Sequence, residues 1–597
     1  MRRETVYNNR IVNVGPANER SRAGRTLSKG HPLMKQELTL ALRCSIGCLA
    51  AALALIACGS PQAPTASPPS EQTTQQPKRI VAAIKGEPSV LITNAGGTGV
   101  PGTDQVRDLL NAGMSNVDAQ GNLHAALAEA VPTIENGLWK VLDDSRMETT
   151  WHIRPGAAWH DGVPFTSDDL LFTAQLSRDK ELVVFGNIAY DSVDSIEAPN
   201  TQTLLIRWKR PYIQADTLFT GRVSSPMPKH LLEQTYRENK TSSTDLPYWS
   251  QDFIGSGPFR LKEWARGTHI LLTANDQYVL GRPKLDDIEV QFVLDSNVLA
   301  AKILAGNVDL TFNRTLSLDQ AIEVRNQWQN GRVDITVGGW IVIFPQFVNP
   351  NPAIVGDVQF RRAMLEAIDR QAMADTLLGG LSSVAHVVIG PDQPYFNDIQ
   401  SAVVKYDYDP RKATDIMQSL GYNRGSDGMF RDSSVQPLSV ELRTSGEFDM
   451  HMSAQLATAD YWRRFGVAVN PVVIPPERSA DREYVQTFPG FLDYNQPTDV
   501  DALKRMVSSQ APLPSNNFVG RNHARFMNPE HDALIDRFFV TIPKDERLDI
   551  LRQIVHMETD QLSTMGLFYN TSPIMVAGRL KNVDRAFTYN AEQWDVS

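Results

Sequence analysis

The sequence predicts an α/β protein of more than one lobe, and three observations carry the prediction. The chain has 597 residues, more than one hydrophobic core usually organises. Strand-like and helix-like patterns mix along it without the strict βαβ rhythm of a single parallel sheet. No internal repeat of about 20–50 residues is present, so a solenoid or propeller is excluded. Hydrophobic content of 42% and charged content of 21% are ordinary for a soluble globular body.

The elements follow in order. The run RIVAAIK (79–85) reads as a strand and DQVRDLLNAG (104–113) as a helix stopped by glycine. METTWHI (147–153) alternates as a strand does, and TSDDLLFTAQLS (166–177) is a helix with Thr166 at its N-cap and acids in its first turn. TQTLLIRW (201–208) and HILLTAN (269–275) are further strands. DVQFRRAMLEAIDRQAMADTLLGG (357–380) reads as one long amphipathic helix ending at paired glycines. Two more helices follow, at 409–422 and 545–563.

The N-terminal region reads as a targeting segment. Lys35 and Arg43 lead into an apolar run at 44–57 that is too short to span a bilayer comfortably. Leu55-Ile56-Ala57-Cys58 resembles the lipobox of bacterial lipoproteins. That resemblance implies cleavage before Cys58 and a lipid on its sulfur. Residues 1–33 are polar and Arg-rich, and Met34 is the favoured translation start. Residues 58–78, rich in Pro, Ser, Thr and Gln, read as a flexible tether. Of the three cysteines, Cys44 and Cys48 leave with the signal, so no disulfide, Cys metal cluster or thiol nucleophile is expected in the mature chain. Residues 1–57 carry nine basic and three acidic residues. Without them 49 basic and 65 acidic residues remain, a formal net charge of −16. Such a surface disfavours nucleic acid and anionic lipid as partners.

Catalytic signatures are absent: no G-x-S-x-G, no H-E-x-x-H and no phosphate-binding G-x-x-x-x-G-K-[ST] occurs. Gly97, Gly99 and Gly102 form a G-x-G-x-x-G, but it lies well past the 79–85 strand and contains Pro101, so a loop is the better reading. WHDG (159–162), with His152 nearby, admits a metal site or a turn. The Asp161-Gly162 pair and the scattered histidines favour the turn. No enzyme activity and no cofactor are expected.

Several stretches together resemble the bacterial extracellular solute-binding proteins of family 5, the peptide- and nickel-type receptors of ABC importers. They are TTWHIRPGAAWHDGVPFTSDDLLFT (149–173), IGSGPFRLKEW (254–264), NDQYVLGRPKLDDIEVQFV (275–293), AAKILAGNVDL (300–310), DVQFRRAMLEAIDRQAM (357–373), YDPRKATDIMQSLGY (408–422) and NPEHDALID (528–536), in the family's order. The resemblance implies a two-lobed periplasmic-binding-protein fold with a hinge. The first lobe would span 79–344 with an inserted subdomain at about 103–225, the second 345–565, and 566–597 would return to the first. Segments 338–349 and 566–576 would be the hinge strands. Arg154, Gly162, Gly257, Arg361 and Asp369 would fix turns, helix ends and buried pairs.

The resemblance also implies where ligand contacts lie. Peptide receptors of this kind offer an Asp to the ligand α-amine, and TFPGFLDYNQPTDVD (487–501) supplies Asp493, followed by Tyr494. The Trp of that motif is missing here, and an exposed loop acid is an equal alternative for Asp493. Trp340, Phe344, Phe568 and Tyr569 on the hinge strands are candidates for stacking on ligand, or for ordinary core. The implied function is extracytoplasmic capture of a small solute, with oligopeptide as the first expectation. Delivery would be to a membrane permease with a cytosolic ATPase, from a lipid-anchored monomer. A sensory or adhesion lipoprotein on the same fold is the alternative, and a lipid-anchored hydrolase is a weaker one.

Overall fold

The computed structural model describes residues 77–92, 100–143, 146–221, 223–446, 449–584 and 588–597. All of them belong to one compact unit, Gln75–Ser597. The signal segment, Cys58, most of the tether and two glycines of the G-x-G-x-x-G lie outside the described residues.

A ten-stranded mixed sheet runs through both lobes. From the edge of the second lobe its order is Ala468–Ile474, Ser439–Ser445, Phe491–Gln496, Gly331–Pro345, Met565–Ala577, Leu310–Thr311, Arg79–Ile84, Asp287–Phe292, His269–Ala274 and Phe259–Ala265. The two central strands are the longest and pair antiparallel from Gly331–Ala577 to Ile343–Met565. Their register slips between Val337 and Gly339. Gly339 sits there at φ +149°, and a Cβ on it would meet the Gln496 carbonyl at 2.7 Å. Only glycine fits both the conformation and the gap. On one side of this slip the strand pair serves the first lobe, and on the other the second.

Each lobe has its own core. The first lobe packs Ile80, Ile84, Leu109, Phe259, Ile288 and Trp594 into one cluster. A four-stranded antiparallel sheet, Trp139–Val141, Met147–His152, Thr203–Trp208 and Val193–Asn200, carries a separate core with Trp151, Trp159 and Trp208. This core lies beside the first-lobe cluster, into which Phe172 and Leu176 of the neighbouring helix also pack. The second lobe is three-layered. Helices Val358–Glu366, Arg370–Leu378, Pro410–Ser419 and Asp449–Phe465 cover one sheet face, and Pro529–Val540 and Lys544–Gln561 cover the other.

Most of the expected elements form near the expected bounds. Helix Ser167–Arg178 starts at Thr166, whose N–H donates to the Asp169 carboxylate at 2.9 Å. Two expectations are corrected. The helix read at 104–113 is Thr103–Leu110, and it ends where Asn111 turns extended, before Gly113 is reached. The stretch 357–380 is two helices, because Asp369 accepts the Ala372 N–H at 2.9 Å and so caps a new helix in mid-run. Ala367 ends the first helix, and the chain turns through Ile368. The family motif residues hold this architecture together. Arg361 is buried, donates to the Val355 and Gln561 carbonyls at 2.9 and 2.8 Å and stacks on Phe347. Arg154 donates to the Ala126 carbonyl, and Gly162 turns the WHDG loop at φ +86°. Both ring nitrogens of His160 are taken by the backbone of Gly255 and Gly257, which leaves neither for a metal.

Candidate functional site

Two halves of the sheet point their strand ends at one cleft. In the first lobe Arg79–Ile84 runs parallel to Leu310–Thr311 and to Asp287–Phe292. In the second lobe Ser439–Ser445 runs parallel to Phe491–Gln496 and to Ala468–Ile474. Ligands of open α/β sheets bind beyond such carboxyl ends. The cavity between them has a volume of about 520 Å³. Lys85, Arg314 and Asp319 line it from the first lobe, His451 and Asn495 from the second, and Asn570 from the central strand Met565–Ala577. A larger groove of about 1000 Å³ lies among Leu304, Trp328, Arg332 and Arg579. Its residues all come from the first-lobe side of the hinge, so lobe closure cannot enclose a solute there.

Asp493 lies in the strand Phe491–Gln496, paired with Ile343 on one side and Thr444 on the other. It is fully buried, which sets aside the exposed-loop alternative. Phe491 packs at a tilt against Trp462 of helix Asp449–Phe465, with ring centroids 4.9 Å apart. Asp493 and Asn495 fall on the same face by the two-residue period of a strand. Neither carboxylate oxygen of Asp493 has a hydrogen-bond partner. Burial pushes its carboxyl well above the usual carboxylate range. An unpaired buried charge is costly, so burial favours the protonated form of this carboxyl.

Tyr494 points to the opposite face and is half-buried in an aromatic cluster. Its ring centroid is 4.8 Å from His523 and 6.2 Å from Phe344. His523 is buried, contacts Gln486 Oε1 at 2.8 Å, and is pushed down to about 4 by burial. His451, beside Tyr494 at 6.2 Å, is likewise pushed down to about 4 by burial. Both imidazoles are therefore neutral at physiological pH. The remaining candidates lie in the core. Trp340, Phe344 and Tyr569 pack in one hydrophobic layer of the second lobe, and Phe568 packs in the other. Trp340 Nε1 donates to Gln496 Oε1, and the Tyr569 hydroxyl to the Ile389 carbonyl. Strand alternation on a sheet covered on both faces sends these rings into the two layers. None of the six candidates is among the residues lining the cavity. Asn495, Lys85, Arg314 and His451 do line it and were not singled out from sequence. Among the described residues no cluster of three or more His, Cys, Asp or Glu could hold a metal ion, and no helix is long and apolar enough to cross a membrane.

Comparison with known proteins agrees with this fold. The oligopeptide-binding protein AppA of Bacillus subtilis is 25% identical over 457 residues, 74% of this chain and 77% of its own. Heme-binding protein A of Haemophilus influenzae is 24% identical over 492 residues, 79% of this chain and 83% of its own. The solved structure of NikA from Brucella suis with Fe(III)-EDTA superposes with a TM-score of 0.70 at 18% identity, covering 87% of this chain and 100% of that one. It shares the two-lobed fold. The model of the bacterial extracellular solute-binding proteins, family 5 middle region, matches residues 122–513, well over half of the chain. The chain therefore belongs to the family 5 extracellular solute-binding proteins, and it is a binding protein, not an enzyme.

Proposed function

We propose that this protein captures an oligopeptide between its lobes outside the cytoplasm and hands it to the permease of an ABC importer. The observation that carries the ligand class is Asp493. Asp493 is fully buried, has no protein partner and sits behind the cavity lining, on the same strand face as Asn495, which does line it; the α-amine of a peptide is a compact hydrogen-bonding cation that would satisfy this carboxyl if it entered past Asn495. The side-chain amides of Asn495 and Asn570, joined by a 3.2 Å hydrogen bond, offer neutral contacts to a peptide backbone at the floor of the cleft. The oligopeptide-binding name of the Bacillus subtilis relative supports the same reading. Contacts from both lobes favour the closed form, because only that form makes all of them. A lipid on Cys58 and the tether behind it would hold the body near the membrane that carries the permease.

Native mass spectrometry of the full chain, purified without denaturation and then incubated with a casein digest, tests the ligand class. Adducts spaced by amino-acid residue masses are expected. One defined non-peptide adduct, or none after the digest, overturns the peptide reading.

A further inference from the structure

The four-stranded sheet beside the first lobe meets the second lobe at a seam outside the cleft. A cavity of about 260 Å³ lies in this seam, and it shares no lining residue with the cleft cavity. Asp191, Arg210 and Tyr212 line it on one side, and Lys504, Asp536 and Phe539 on the other. Asp191 precedes the strand Val193–Asn200 and Arg210 follows its partner Thr203–Trp208. The Lys209 N–H donates to the Ser192 carbonyl at 3.0 Å and holds these two ends together. Across the seam, the Ile213 N–H donates to the Phe539 carbonyl at 3.1 Å and joins the two walls.

Both walls are braced from behind. The Tyr212 ring packs at a tilt against the buried Trp208, with centroids 5.4 Å apart, and its hydroxyl donates to Gln214 Oε1 at 3.1 Å. Ile535 and Phe539, which also line the cavity, are buried in a hydrophobic layer of the second lobe. Asp536, Phe539 and Val540 follow one another at the spacing that shares a helix face, so a carboxylate stands beside an apolar surface. Lys504 is committed: it donates to Gln214 and to Asp501, each at 2.8 Å. Asp191, Arg210 and Asp536 are exposed, and among the described residues none of their side chains makes a hydrogen bond or ion pair. The cavity thus offers an uncommitted cation on one wall, an uncommitted acid on the other and an apolar floor between them. Its volume is below the roughly 300–1,000 Å³ of sites for drug-sized ligands, which excludes a peptide.

We infer that this seam is a second ligand site, for a single free amino acid with an aromatic or branched apolar side chain. Its side chain lies against Tyr212, Ile535 and Phe539, its carboxylate meets Arg210, and its ammonium meets Asp536. A ligand lacking either charge leaves one wall unmatched. Only the closed arrangement brings both walls together, so an amino acid bound here clamps the lobes from outside the cleft. The site is independent of what the cleft binds.

Calorimetric titration of the full chain with L-phenylalanine, phenylalanine amide and N-acetylphenylalanine tests this. Phenylalanine is expected to bind one to one, and each single-charge derivative at least about tenfold more weakly, as loss of a charge-assisted contact gives. Arg210→Ala is expected to weaken phenylalanine to the level of its amide, and Asp536→Ala to the level of its N-acetyl form. Both positions are exposed, and an unchanged melting temperature checks that the variants fold. Asn495→Ala, which alters the cleft, is expected to keep the phenylalanine affinity of the wild type. No binding of phenylalanine by the wild type overturns the site. Loss of binding in Asn495→Ala with none in the two seam variants moves the amino acid to the cleft and overturns it equally. A derivative that binds as tightly as phenylalanine overturns the zwitterion assignment, and weakening by only one of the two seam variants overturns the bridging of the lobes. Peptide adducts in the native mass spectrum of the wild type stand or fall separately from all of these outcomes.

Discussion

Thr444 and Asp493 are register partners on parallel strands, and the Thr444 hydroxyl donates to the Asp493 backbone carbonyl at 3.2 Å. The polar neighbour closest in register thus serves the main chain and leaves the carboxylate alone. The same strand pairing that buries Asp493 withholds a partner from it.

Asp493→Asn should stabilise the ligand-free protein at neutral pH. The carboxyl is raised in the folded state, so its stability contribution is present at low pH and is lost as pH rises above the ordinary carboxylate range. An amide does not titrate, so the variant should not show that loss. Urea unfolding near neutral pH measures it, and a less stable variant would contradict the account. The same variant should lose the stabilisation that a peptide ligand gives the wild type.

His523 should make the second lobe sensitive to acid. Burial lowers its folded value to about 4 from the ordinary 6.5. Its contribution is therefore full above about pH 6.5 and is lost as pH falls towards 4, amounting to about 3 kcal/mol. Unfolding free energy followed through that window should fall less steeply in His523→Asn than in the wild type. Parallel slopes would show that this imidazole is not a source of the acid sensitivity.

A contact outside the cleft should bias closure. Lys504 of the second lobe donates to Gln214 Oε1 of the first-lobe subdomain at 2.8 Å. Its Nζ lies 4.3 Å from the Phe539 ring centroid and 5.4 Å from that of Tyr212. The Ile213 N–H donates to the Phe539 carbonyl at 3.1 Å alongside. Lys504→Ala should favour the open form and weaken ligand binding by roughly 1 kcal/mol, through loss of the Gln214 hydrogen bond and the Tyr212 cation–π contact. Small-angle scattering should report a larger radius of gyration for the ligand-free variant. An unchanged radius would assign this contact no part in closure.

Cys58→Ser should release the protein from the membrane. The resemblance of Leu55-Ile56-Ala57-Cys58, after the apolar run, to a lipobox makes that sulfur the proposed attachment point, and a lipid chain contributes about 0.8 kcal/mol per buried methylene. Fractionation should move the variant to the soluble pool. Retention in the membrane fraction would mean that another feature anchors the chain.

Local signals were legible in the sequence where local chemistry decides the structure. Thr166 with Asp169, Asp409 before Pro410 and Asn528 before Pro529 each mark a helix start by the backbone N–H groups they satisfy. The break at Asp369 was hidden because apolar spacing continues through it, although an Asp followed by a helical run is itself a cap signal. The site was less legible. Asp493 could be named from its motif, but its burial depends on strands that flank it from distant parts of the chain. Lys85 and Arg314 stand 229 positions apart, and only the pairing of their strands joins them. Trp340 and Tyr569 read equally well as ligand platforms or as core until the two helical layers over the sheet are in place.

The central claim is that the cleft holds a peptide by its free amine at Asp493. Calorimetric titration of the full chain with a peptide retained from the digest and with its N-acetylated form tests it most directly. The account predicts that the free-amine peptide binds the wild type, that acetylation weakens it at least about a hundredfold, the cost of leaving a buried charge partner unmade, and that Asp493→Asn binds both forms equally poorly. Equal affinity of the wild type for the two peptides would contradict it.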